Sequence, residues 1–422
     1  MTSRRKFVLR AGALAVALAA AVLVSPFSAT KAVAQDKKPI KIGFSMALTG
    51  PLGAGGQSAL IAMEIWRKDV NDKGGLMGRP VEFVYYDDAT APANVPGIYT
   101  KLLNVDKVDL VVSSYGTDVI APAMPIVMRA GKVFMSLFGL DVNSQFKYDR
   151  YFQIMPAGPD PANDWSAGFI GLAKAKGLKT IAIAGADAEF AQNAVKGARH
   201  NAEQEGLKIV YDKSFPPSTA DFTPILRAIQ ATNPDAIYFG SYPPNSVGIV
   251  KAAHELGLKA KLVGGGMVGL QFAAIMKNLG PMLDNFVNYD FWVPAKTLNF
   301  PGVNEFLQKY QEAAKGKGVD PLGHYLPPYA YAYMQVLGDA VNATKSLDDK
   351  VLAEYIHKTT FNTVVGPVTF AENGEWAKSR ALMVQFRDVK ANDMAQFSKE
   401  GTRVVLYPES VKSGNLAFPF RQ

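Results

Sequence analysis

The sequence contains no cysteine. That excludes disulfides, thiolate catalysis and thiolate metal sites, and it excludes a lipid anchor on an N-terminal cysteine. Histidine is scarce as well. His200, His254, His324 and His357 stand far apart and form no H-x-x-x-H or H-E-x-x-H pair, so no metal signature is present. A G-x-S-x-G nucleophile elbow is missing too. No basic block with interleaved aromatics marks a nucleic-acid surface. Past the N-terminal region no apolar run is long enough to span a bilayer, which takes about 20 residues. The absences leave a protein with no recognisable catalytic, metal or cofactor machinery.

What is present begins at the N-terminus. Ser3-Arg4-Arg5-Lys6-Phe7-Val8-Leu9 is a twin-arginine pattern, and an uncharged Ala, Val and Leu stretch at 11–24 follows it. Ala32-Val33-Ala34 is a small-residue cleavage site. Together these predict a twin-arginine export signal over residues 1–34, cut near Ala34. The signal holds Arg4, Arg5, Lys6, Arg10 and Lys31 and no acid, so the remaining chain has 40 basic and 37 acidic residues, a balance of +3. An exported chain without an anchor is expected in a periplasm. The remaining 388 residues suit two domains.

Short apolar strands then alternate with amphipathic segments. Strands are predicted at 40–47, 81–86, 109–112 and 132–136, with a helix after the Gly50–Gly56 loop running to about residue 72 and helices at 94–105 and 119–129. After a proline-rich break at 156–161 the alternation resumes, with strands at 180–184, 208–215 and 236–240 and helices at 189–206, 222–230 and 246–256. Repeated β–α units with continuously apolar strands imply parallel sheets covered on both faces. Two such runs predict two doubly wound lobes. The break, with extended stretches at 288–294 and 363–369, predicts three crossings and a shared hinge. The lobes are expected at 36–157 with 291–366, and at 158–290 with 367–422.

The Gly50–Gly56 loop lacks the third glycine of a dinucleotide fingerprint, since position 58 is Ser58, and there is no P-loop. Ligands of open α/β sheets bind outside the carboxyl ends of the strands. Tyr115 and Tyr242, read as lying in turns after strands, are therefore cleft candidates, as is Phe138. Phe239 and Phe291 alternate with Tyr238 and Trp292 along their strands and are read as core. The hydroxyls of Ser113, Ser114 and Thr117 suit a carboxylate, although Thr117 or Asp118 can equally cap the helix that follows. His324, among Tyr325, Pro327, Pro328 and Tyr329, is read as a surface or packed histidine.

The order of several short motifs is more specific than any one of them. They are Ile40-Lys41-Ile42-Gly43, Leu48-Thr49-Gly50-Pro51, Ala121-Pro122-Ala123, Gly131-Lys132-Val133-Phe134-Met135-Ser136, Gly240-Ser241-Tyr242, Gly257-Leu258-Lys259 and Val365-Gly366-Pro367-Val368. Through them the chain resembles the branched-chain amino-acid-binding proteins among type I periplasmic binding proteins, over nearly its whole length after the signal. The resemblance implies a Venus-flytrap fold in which two doubly wound parallel-sheet lobes are joined by a three-strand hinge. It implies a small-molecule ligand between the lobes, delivery to an ABC permease in the inner membrane, no cofactor, no enzymatic activity and a monomer.

It also implies a site. Thr117 would hold a ligand carboxylate, with backbone groups from Phe138-Gly139-Leu140, where Leu140 replaces an expected hydroxyl. Phe190 stands for one family tyrosine and Tyr242 matches another. Gly266 occupies the position of the acid that takes an α-ammonium, and Gly55 replaces an aromatic. Loss of that acid removes a charge-assisted hydrogen bond of ~1.5–3 kcal/mol. Leucine, isoleucine and valine are therefore expected to be poor ligands, and an organic acid, aromatic or not, a better one, in a pocket enlarged by the two glycines. Asp187, Glu189 and Asp141 are alternative amine partners that keep an amino-acid-like ligand open. A ligand-sensing receptor of the same fold is the rival reading. The tail at 392–422 is longer than the family leads one to expect and is expected to pack on the second lobe.

Overall fold

The computed structural model describes residues 38–421, so the expected export signal lies outside the described residues. The first strand, β1 (Ile40–Met46), is buried at all but one position, which requires cover on both faces. The glycine-rich loop leads into α1 (Gly53–Asp72), followed by β2 (Val81–Asp87), α2 (Val95–Asn104) and β3 (Leu110–Tyr115). The expected helix at 119–129 is interrupted. It forms α3 (Thr117–Ile120), a tight turn at Ala121–Ala123 and α4 (Met124–Arg129), because Pro122 and Pro125 cannot donate to a continuous ladder. Next come β4 (Phe134–Leu137), α5 (Val142–Phe146) and β5 (Tyr151–Gln153). The sheet runs β2-β1-β3-β4-β5, parallel throughout. Its strand order reverses between β1 and β3, where such sheets open a crevice.

The second run repeats that plan. It comprises α6 (Pro161–Ala175), β6 (Thr180–Ala186), α7 (Glu189–Gln204), β7 (Lys208–Phe215), α8 (Thr223–Ala231), β8 (Ala236–Ser241), α9 (Pro243–Glu255), β9 (Leu262–Met267), α10 (Ala273–Leu279) and β10 (Val287–Asp290). The strands pair as β7-β6-β8-β9-β10, all parallel, with the reversal between β6 and β8. The topology thus repeats where the residues do not. Helix α6 is absent from the sequence reading, which saw only a proline break. Pro161 sits in its first turn, where a missing N–H costs nothing, and Ala162, Trp165, Phe169 and Ala173 form its buried stripe.

The chain then returns to the first sheet. Helices α11 (Val303–Ala314), α12 (Pro327–Thr344) and α13 (Asp349–Lys358) follow, with α11 and α12 against α1 and α12 against β4. The stretch at 363–369, expected as an extended crossing, instead belongs to a hairpin of β11 (Phe361–Thr363) and β12 (Gly366–Val368) packed on α12. The third passage comes after it, and its residues lead to β13 (Leu382–Phe386). Strands β13 and β14 (Arg403–Tyr407) join β10 antiparallel, so the second sheet is mixed, with seven strands rather than a purely parallel set. The C-terminal tail does pack on this sheet's body. The Phe420 ring meets Phe286 at 4.9 Å, and Gln385 exchanges hydrogen bonds with the Ala417 backbone.

A buried ionic network fixes the second passage. Arg403 of β14 donates to the Asp290 carboxylate at 3.1 Å and to His324 Nδ1 at 2.9 Å. All three side chains are buried. His324 is thus a packed histidine. Burial and the neighbouring guanidinium hold its pKa well below the usual value, so it stays neutral and accepts the bond. Asp290 also accepts from the Phe291 N–H, so the network anchors the residues that leave β10. Replacing Arg403 by Met leaves a buried carboxylate without its cation, which costs about 3–5 kcal/mol. Urea unfolding of Arg403→Met is expected to show that loss, and the double variant Arg403→Met/Asp290→Leu is expected to recover much of it.

Candidate functional site

The carboxyl ends of both sheets face one narrow cleft, whose walls here lie so close together that they leave room for about one water molecule. From the first sheet come Leu52 after β1, Tyr115 at the end of β3, Gly116, Thr117 and Asp118 behind it, and Phe138 after β4. From the second come Phe190 in the first turn of α7, Tyr242 after β8 and Val268 after β9. Trp165 enters from α6, Met155 from the first passage and Tyr325 from the loop before α12. Both strand-order reversals therefore contribute to the same cavity.

Its wall is aromatic and continuous across the passages. Phe138 lies 6.3 Å from Tyr115, 5.4 Å from Tyr325 and 4.9 Å from Phe291, ring centre to ring centre. Phe291 contacts Trp165 at 5.5 Å, Trp165 contacts Phe190 at 5.6 Å, and Phe190 contacts Tyr242 at 5.8 Å. Most of these pairs meet edge to face, the arrangement ring quadrupoles favour. Phe138 itself has φ of 66°, a left-handed conformation costly for a bulky residue. Gln153 of β5 holds it there, accepting from the Phe138 N–H and donating to the Gly139 carbonyl at 2.7 Å.

Asp118 carries the only charge among the lining side chains. It follows β3 on the first sheet, yet its partners belong to the second. The Tyr242 hydroxyl donates to one carboxylate oxygen, and the Glu189 backbone N–H donates to the other at 2.8 Å. Glu189 opens α7, whose preceding residue, Ala188, supplies no side-chain cap. Asp118 is therefore a helix cap delivered across the cleft, satisfying a free N–H and placing negative charge at a positive helix end. Burial raises its pKa, while the Tyr242 and α7 hydrogen bonds act in the opposite sense. Glu189 is pushed up to about 7 by burial and by the Asp118 charge. Two further contacts join the rims: Asn193 donates to the Leu140 carbonyl at 2.9 Å, and Lys196 pairs with Asp141 at 3.0 Å.

The residues singled out in the sequence divide into two groups. Tyr115, Thr117, Phe138, Phe190 and Tyr242 line the cavity together. Tyr115 does so from the last position of β3 rather than from a turn. The Thr117 hydroxyl accepts from the Leu140 N–H at 2.9 Å, which leaves its proton for an acceptor in the cavity. Gly139, Leu140 and Gly266 are not among the lining residues. Gly139 turns toward Ser136 and Tyr151, and Leu140 serves the rim. The space beside Gly266 is taken by Trp165 and Tyr238, and that beside Gly55 by Tyr115, so neither glycine enlarges the cavity. Ser113 and Ser114 are spent on the Leu137 N–H, the Ser114 carbonyl and Asp88. Phe239 and Phe291 are buried, as read. Of the alternative acids, Asp187 is exposed and Asp141 is paired, while Glu189 lies beside Asp118.

The sequence reading missed three lining residues of consequence. Asp118 was read only as a local cap, Trp165 lay on the unread helix α6, and Tyr325 stood in a loop noted only for its histidine. The apolar 3–4 spacing from Ala162 was the available signal for Trp165. Among the described residues no group of three acidic or histidine side chains could hold a metal, and no helix is long and apolar enough to cross a membrane.

The same architecture is found in characterised proteins. The chain is 26% identical over 364 residues to the Leu/Ile/Val-binding protein of Escherichia coli K12, covering 85% of this chain and 93% of that protein. It is 26% identical to the leucine-, isoleucine-, valine-, threonine- and alanine-binding protein of Pseudomonas aeruginosa, covering 85% and 92%. Its fold is similar to that of a Streptococcus pneumoniae branched-chain amino acid transporter substrate-binding protein in complex with isoleucine (TM-score 0.70, 20% identity, 88% and 100% of the two chains). It is also similar to a solute-binding protein of an ABC transporter from R. palustris in complex with benzoate (TM-score 0.73, 17% identity, 89% and 98%). Residues 39–392 match the periplasmic binding protein family, most of the chain and both sheets included, and this protein belongs to that family.

Proposed function

We propose that the protein is the periplasmic solute-binding component of an ABC importer. It captures a small organic acid with an aromatic or apolar body, or an amino-acid-like solute, and presents it to a membrane permease. One observation carries this reading. The cavity is made by both sheets at once, and Asp118 bonds across it to Tyr242 and α7. Closing the lobes and completing the site are therefore one event, so a solute that contacts both walls shifts the open–closed equilibrium toward closure. The aromatic wall supplies apolar contact. The Thr117 hydroxyl supplies a donor for a carboxylate. Its relatives are binding proteins by name, and we read this chain as one that releases its solute unchanged.

Binding stabilises the folded state by mass action. Thermal-shift screening against amino acids, aromatic acids, aliphatic acids and amides is expected to single out carboxylate-bearing solutes, and titration calorimetry of the hits to give one site per chain. Tyr242→Ala removes a wall and a cross-cleft bond. It is expected to weaken that binding by about tenfold or more while leaving the ligand-free melting transition cooperative. Unchanged affinity would argue against this placement of the site.

The paired acids at the cleft give the closed form a pH dependence. The folded-state pKa of Glu189, about 7, lies above its ordinary value of 4.5. The stabilisation tied to its protonated form is complete below the ordinary value and is lost as pH rises through about 7. Between about pH 5 and 8 the ligand-free melting temperature of the native chain is expected to fall relative to Glu189→Gln. Parallel melting curves for the two would refute that coupling.

A further inference from the structure

A buried side chain that is not part of the cavity lining holds two residues that are. Gln153 ends β5 and is completely buried. Its Oε1 accepts from the Phe138 N–H at 3.1 Å and from the Met155 N–H at 3.0 Å. Its Nε2 donates to the Gly139 carbonyl at 2.7 Å and to the Tyr151 hydroxyl at 2.9 Å. Phe138 and Met155 both line the cavity, yet they belong to different segments. Phe138 follows β4, and Met155 lies in the first passage, which leads from β5 to α6.

The main chain of Gln153 reaches the third passage as well. Its N–H donates to the Gly374 carbonyl at 2.8 Å. Gly374 has φ of 76°, and a Cβ there would lie 1.8 Å from the Tyr151 carbonyl oxygen, so only a glycine lets the third passage come this close to β5. From that point the two passages stay bonded to each other. The Trp376 indole donates to the Ile154 carbonyl at 2.9 Å, and the Arg380 N–H donates to the Pro156 carbonyl at 2.9 Å.

This junction calls for an amide. One atom must accept from two N–H groups while its neighbour donates to a carbonyl, so a carboxylate fails on one side and an apolar chain on both. The left-handed backbone of Phe138 is costly and persists only while its surroundings hold it. Displacing the Phe138 ring therefore pulls on Gln153, and Gln153 is bonded to segments that carry the chain between the two sheets. Resting on the importer reading above, we propose that Gln153 is a positioning residue for solute binding, which couples the Phe138 wall of the cleft to the first and third passages. A solute seated against Phe138 and Met155 is thereby registered at the hinge.

Gln153→Glu separates positioning from bulk stability within one variant. Protonated, the acid has an O–H for the Gly139 carbonyl and an oxygen for the two N–H groups; ionised, it has no donor. Burial raises the pKa of such a carboxyl, so the variant is expected to be protonated at about pH 5 and ionised at about pH 9. The native chain at the same pH is the reference, because Tyr151 beside Gln153, and Glu375 and Asp141 around Tyr151, are common to both. In the ligand-free exported chain, the near-ultraviolet circular dichroism of the aromatic wall is expected to match the native spectrum at the lower pH. At the higher pH it is expected to depart reversibly, with the far-ultraviolet spectrum unchanged. Calorimetric affinity for 3-phenylpropanoate or L-leucine, whichever the native chain binds better, is expected to equal the native value at the lower pH. It is expected to fall below it by about tenfold or more at the higher pH, the scale of one lost hydrogen bond. Gln153→Met, with neither donor nor acceptor of that strength, is expected to bind weakly at both. Native affinity in Gln153→Met, or a Gln153→Glu variant that follows the native chain in spectrum and affinity at the higher pH, would overturn the proposal and leave the importer reading intact. Joint loss of the near- and far-ultraviolet signals would mark a merely structural role and overturn it too. Should neither probe bind the native chain and no carboxylate-bearing solute shift its melting, the importer reading fails, and the dichroism comparison still decides whether Gln153 sets the wall.

Discussion

A single carboxylate placed across a gap organises this cleft. Asp118 leaves the end of β3 on the first sheet and completes the amino end of α7 on the second. A helix of sixteen residues begins there without a cap of its own. The free N–H groups of its first turn need partners, and Asp118 from the other sheet supplies one to the Glu189 N–H. The Tyr242 hydroxyl adds a second bond to the same group. The arrangement joins the two sheets' loops directly, so the backbone of α7 is satisfied by a residue of the other sheet.

Packing around this contact explains why the cavity is small. Aromatic side chains from six separate parts of the chain converge at the strand ends, and the spaces beside Gly55 and Gly266 are filled rather than open. A missing side chain read from sequence suggests room, but in a close-packed interior the neighbours decide whether room exists. Here Tyr115, Trp165 and Tyr238 take it. The strained backbone of Phe138, held by Gln153, shows that the wall is fixed by hydrogen bonds behind it and not by the ring contacts alone. Behind the hinge the Arg403–Asp290–His324 network fixes the second passage in the same way, through bonds from both terminal guanidinium nitrogens, although Arg403 Nε has no partner.

The sequence carried most of the fold because its signals are local. Continuous apolar strands, amphipathic helices and glycine or proline punctuation are read within a few residues of each other, and nearly every expected strand formed. The failures have local causes too. Pro122 and Pro125 divided one helix, Pro161 opened another that had been taken for a break, and Val364-Val365 turned a supposed crossing into a hairpin. The cavity lining was legible where it follows from topology. Tyr115, Thr117, Phe138, Phe190 and Tyr242 stand at strand ends, and the strand ends face the cleft.

By itself, then, the sequence determined two covered, largely parallel sheets with a cleft between them, because strand burial and helix periodicity leave no other way to hide those side chains. It determined the absence of thiol chemistry outright. Only the tertiary structure decided which acid faces the cavity. Asp118 and the amino end of α7 lie 71 positions apart in the chain, and no pattern within either segment points to the other. A cap that comes from a different lobe looks in sequence like a cap for its own helix, and the distinction appears only when the chain has brought the two ends together.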